Sequence, residues 1–141
     1  MSICADKDWT MELVKVPSEP PRKETFSFRD VRIVNGIVTG KVYDKDENPT
    51  DLRGSCFSFG PVAHMTFVFT AAKNGGGYVD IVLSGGGFQL PDEQPRFTGR
   101  FEVFTRASQG QSEALALVNF EPGDTGTGTG MQAQIAKPNR T

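Results

Sequence analysis

The stretch EPGDTGTGTGMQAQIAK, residues 121–137, alternates threonine and glycine from Thr125 to Gly130. If it is a strand, a chain of short strands has a final member that can meet its own beginning. If it is a tail, the sheet ends near Phe120 and stays open. As a strand it puts Thr125, Thr127, Thr129, Met131, Ala133 and Ile135 on one face and Gly126, Gly128, Gly130, Gln132 and Gln134 on the other. The first row grows steadily more apolar, so we expect it to face inward. The glycine row then leaves bare backbone outside, to be covered by the N-terminal segment or by a second subunit. A phosphate-cradling loop is the least favoured reading, because Met131 stands where a Walker lysine is required and no helical period follows.

Upstream, apolar and polar residues alternate with period two between turn residues, and helical periodicity is nearly absent. In ETFSFRDVRIV, residues 24–34, Phe26 and Phe28 share one parity and Val31 and Ile33 the other. A bulge near Arg29 and Asp30 would bring all four to the core side. Asn35-Gly36 then supplies a two-residue hairpin, since both central positions of a type I′ turn need positive φ. Residues 44–54 read as a long polar loop and SCFSF, 55–59, as the next strand. AHMTFVFTAA, 63–72, aims Met65, Phe67, Phe69 and Ala71 one way and His64, Thr66 and Thr70 the other. YVDIVL, 78–83, and RFTGRFEVF, 96–104, repeat the pattern with Phe97, Phe101 and Val103 on one face, and the glycine cluster 85–87 reads as opening a loop. PSEPP, 17–21, and SQGQS, 108–112, are connectors. Eight or nine strands joined by hairpin-length links predict an all-β fold: a closed antiparallel up-and-down barrel of about eight strands, because closure removes exposed edges. A two-sheet β-sandwich is the alternative. Residues 1–141 form a single domain, with 1–23 a partly extended N-terminal segment.

A formal net charge of −2 over 141 residues, with scattered lysine and arginine, excludes an electrostatic nucleic-acid binder. No apolar run approaches the roughly 20 residues of a membrane-crossing helix, so no membrane partner is expected. The N-terminus shows no secretory leader, so a cytoplasmic protein is expected, with a secreted mature form as the alternative. Cys4 and Cys56 are too few for a disulfide scaffold and are expected as two unpaired thiols rather than a bridge. With one histidine and two distant cysteines, neither a metal nor another cofactor is expected. The Asp44, Asp46, Asn48 run resembles a calcium loop, but Pro49 and Ser55 occupy the glycine and glutamate positions, so it reads as a solvated hairpin.

Three functions remain. The first is a barrel holding a small apolar or amphipathic ligand, lined by Met65, Phe67, Phe69, Phe97 and Phe101. The second is a self-associating structural or interaction module with a filled interior. It is motivated by Ala114, Leu115, Ala116, Leu117 and Val118, which are apolar on both faces and point to a homo-oligomer through that strand. The third is a cyclase- or isomerase-type enzyme, whose candidate catalytic groups would be His64, Asp80, Arg100 and Glu102. If the row Arg100, Glu102, Arg106 lies outside with Asp80 beside it, it makes weak surface ion pairs instead.

NGIVTGKVYD, residues 35–44, and FTGRFEVF, residues 97–104, resemble the hairpins of small calycin barrels, the avidin-like ones in particular, over the middle two thirds of the chain. Allene-oxide-cyclase-like barrels share the same pattern. The resemblance implies a barrel with a cup-shaped interior. Avidin-like barrels pack biotin with several tryptophans, whereas this chain has only Trp9, so biotin binding is not implied and no site residue transfers.

Overall fold

Period-two alternation becomes nine strands in the structure, a computed structural model that describes residues 3–16, 22–89, 94–106 and 115–132. They are β1 (Trp9–Lys15), β2 (Lys23–Val34), β3 (Ile37–Tyr43), β4 (Pro49–Phe59), β5 (Val62–Lys73), β6 (Tyr78–Phe88), β7 (Arg96–Thr105), β8 (Leu117–Val118) and β9 (Thr125–Gln132). The wall runs β4-β3-β2-β1-β9-β7-β6-β5, and β4 pairs with β5 to close it. All eight wall contacts are antiparallel. The closed barrel is therefore present, and the sandwich is not.

Local chemistry sets the turns. Asn35 and Gly36 take φ of 52° and 81°, the left-handed pair that a tight hairpin demands. Asp30 sits at φ 56°, inside a register shift between Arg29 and Arg32. That bulge keeps Phe26, Phe28 and Val31 buried despite their change of parity.

Inside, phenylalanines carry the packing. Phe26 meets Phe69 at 5.1 Å between ring centroids, Phe28 meets Phe67 at 5.2 Å, and Phe67 meets Phe97 at 5.4 Å, all edge-on. Since β3 and β4 separate β2 from β5 in the wall, the first two contacts span the lumen. Each buried ring contributes about 1.5–3 kcal/mol, with about 0.5–1.5 kcal/mol more per well-oriented pair.

Both barrel ends are covered. At one end β8 pairs in parallel with Ala72 and Lys73 of β5, beyond the point where the β4–β5 register stops at Leu52 and Phe69. Ala116, Val118 and Phe120 are buried there, and the Phe120 ring lies 4.9 Å from that of Phe101. At the other end Ile3 is buried and Cys4 is bonded to Cys56 of β4.

Five expectations need correction. Cys4 and Cys56 form a disulfide, not two thiols. Their separation of 52 residues hides it, because only the folded barrel brings the N-terminal segment over the inward-facing end of β4. In β9 the glycines face inward and the threonines outward, the reverse of the expected parity. A Cβ on Gly126 would lie 2.7 Å from Phe101 Cε2, and one on Gly130 would collide with Met11 Sδ. The glycine row thus yields interior volume to large side chains from other strands, an effect no local pattern encodes. The polar loop is also shorter than expected: β4 begins at Pro49, and β6 carries the glycine cluster to Phe88. Finally, the apolar character of both faces around Leu117 does not imply a second layer outside the barrel, because Ala116 and Val118 plug it and Leu117 is the outward residue. Ala114, Ala133, Ile135 and both connectors lie outside the described residues.

Candidate functional site

The candidate catalytic residues all lie on the outside of the barrel wall. Alternation on β5, β6 and β7 sends His64, Asp80, Arg100 and Glu102 to the outer wall while Met65, Ile81, Phe101 and Val103 turn inward. His64 stands opposite Phe57 and Gly86, Arg100 opposite Ser84 and Thr127, and Glu102 opposite Val82 and Thr125. Asp80 accepts hydrogen bonds from the Thr70 hydroxyl and, at 3.1 Å, from Arg106. It is the cross-strand ion pair expected of an outward charged row. Among the described residues no group of three His, Cys, Asp or Glu side chains could hold a metal.

The proposed ligand-lining residues Met65, Phe67, Phe69, Phe97 and Phe101 are all at most 2% exposed. They share one buried cluster, in which Phe67 meets the Phe28 and Phe97 rings, Phe69 meets those of Phe26 and Phe28, and Phe101 meets Phe120. One polar atom in this interior stands apart. The indole N–H of Trp9 is buried and has no hydrogen-bond partner among the described residues.

The buried acid chemistry is structural. Asp44 accepts N–H groups from Asp46 and Asn48 at 2.9 Å each and from Leu117 at 3.0 Å, so it ties the β3–β4 turn to the β8 plug. Burial pushes its carboxyl up, but the hydrogen bonds from Asn48, Leu117 and Asp46 outweigh that and hold it below the usual range. Glu24 moves the other way: burial raises it, against the bond it accepts from the Asn119 N–H. On the surface, Arg29 makes a two-pronged pair with Glu47 at 2.8 and 2.9 Å and lies over the Tyr43 ring.

At the disulfide end the outer wall also displays a cluster of apolar side chains. Val34, Ile37, Phe57, Phe59 and Val62 are between 50% and 73% exposed. They flank two adjacent turns at the disulfide end, 35–36 and 60–61. Phe59 pairs with Val62 across the second turn, and Phe57 pairs with His64. The Phe57 ring lies over Gly36, where a Cβ would come within 3.2 Å of it. This links the two hairpin tips into one surface. The sequence signal was available: two aromatics at odd positions of SCFSF opposite a histidine already assigned to the outer face.

The chain matches no family model, no curated protein and no solved structure at a significant level. No residue role therefore passes to it from the barrel families its hairpins resemble.

Proposed function

We propose that this protein is a non-enzymatic docking module: a filled barrel, tethered by Cys4–Cys56, that presents the Phe57–Phe59 hairpin face to a macromolecular partner. One observation carries this reading. The phenylalanine rings meet each other across the lumen, at 5.1 and 5.2 Å, where a ligand would have to sit. A barrel of eight strands has an interior that side chains can just fill. The large apolar groups left for recognition are then outside, and a contiguous exposed apolar patch is the usual mark of an interaction surface. The disulfide further supports an oxidising compartment, in place of the cytoplasm that the sequence suggested.

A second reading, a small ligand inside the barrel, is favoured by the buried Trp9 N–H, which has no acceptor among the described residues, because a buried donor left without one is costly. A thermal-shift panel of hydrophobic and amphipathic compounds, with native mass spectrometry, separates the two. The docking reading expects no compound to raise the melting midpoint and no bound mass. A compound that stabilises the protein and quenches Trp9 fluorescence would replace it with the ligand reading.

A further inference from the structure

The β4–β5 hairpin outruns its neighbour. β3 ends where Ile37 pairs with Ser55, whereas β4 continues to Phe59. Cys56 still donates its N–H to the Gly36 carbonyl at 2.9 Å. Backbone direction alternates along a strand, so Ser58 turns its N–H and C=O to that same side, where no strand follows among the described residues. Ser58 is exposed, and its backbone forms a short open edge. Residues 54–63, GSCFSFGPVA, contain no charged side chain. Natural sheets usually blunt such edges with charge or with proline on the edge itself.

We infer that this edge is where a second copy of the chain docks, by antiparallel pairing of Ser58 with Ser58 across a two-fold axis. The inference rests on the docking reading above and names its partner. An antiparallel edge is complementary to itself under two-fold rotation, which is the symmetry of most protein dimers. With Ser58 on the axis, each Phe57 falls opposite the partner's Phe59, giving two cross-strand aromatic pairs on the outer face. The uncharged edge sets no like charges against each other in that arrangement. The five exposed side chains offer on the order of 500 Å² per copy, or about 1,000 Å² in total, the lower limit for a specific interface and fitting for a weak, reversible dimer.

Sedimentation velocity from about 5 μM to about 500 μM tests this, a range in which interfaces of that size assemble. Wild type should shift reversibly from the 15.3 kDa monomer toward twice that mass. Ser58→Pro removes only the N–H on the open side, leaving the β4–β5 ladder intact. Phe59→Lys supplies the missing charge. Each should weaken the dimer at least tenfold with an unchanged melting midpoint. If Ser58→Pro does not fold, Phe59→Lys alone decides. Wild type that stays monomeric throughout overturns the inference, as does a dimer indifferent to both variants. A monomer that instead co-sediments with phosphatidylcholine–phosphatidylserine vesicles, through Phe59, assigns the face to lipid; this overturns the second copy and leaves the docking reading standing. A compound that stabilises the barrel interior defeats the docking reading itself.

Discussion

Removing the Cys4–Cys56 bridge, as the double variant C4A/C56A, tests the tether that the fold places between the N-terminal segment and β4. The bridge closes a loop of 52 residues. In the chain-entropy treatment a loop of that length removes about 14 cal/mol/K from the unfolded ensemble, or about 4 kcal/mol at 25 °C. Unfolding entropy for 141 residues is about 0.3 kcal/mol/K, so the melting midpoint should fall by about 10–15 °C. Because the effect acts on the unfolded chain, the far-ultraviolet spectrum of the folded variant should be unchanged. Its urea m-value should rise, since the released chain exposes more surface on unfolding. Circular dichroism melts and urea titrations of wild type, with and without reductant, and of the variant supply all three readings. A midpoint within about 2 °C of wild type would refute the reasoning, as would titration of two free thiols in the non-reduced native protein.

Phe120→Ala removes the ring that seals one end of the barrel against Phe101, and should cost about 3–5 kcal/mol by denaturant unfolding. Gly126→Ala should destabilise by at least about 2 kcal/mol, because its Cβ meets Phe101 and the backbone carbonyl of Val14. Thr127→Ala, one position along and outward, should stay within about 0.5 kcal/mol, so equal costs at the two positions would refute the inward glycine row. Asp44→Ala should cost at least about 2 kcal/mol, since three backbone N–H groups lose a charged acceptor. The folded Asp44 carboxyl is depressed, so its share of stability is present above the unfolded value of about 3.9 and is lost as pH falls through the folded one. Urea midpoints measured on acidification should therefore drop more for wild type than for Asp44→Ala.

Local pattern determined much of this protein. Alternation and turn chemistry marked the strands, the Asn35-Gly36 hairpin and the bulge at Asp30, because each depends on neighbours a few residues apart. Closure into a barrel was also readable, since a run of hairpins with a final strand has one economical way to hide its edges. The outward position of His64, opposite the phenylalanine face of β5, followed from parity alone. The tertiary structure decided what parity could not. Gly126 and Thr127 alternate identically whichever of them faces in, and only the volume claimed by Phe101, Met11 and Leu83 settles the choice. Cys4 and Cys56, Asp44 and Leu117, and Phe101 and Phe120 are distant in sequence and meet because the closed wall brings its two ends together. The open backbone at Ser58 exists only because β3 stops before β4 does. Such contacts depend on where separate strands end relative to one another, and that geometry appears only once the sheet has closed.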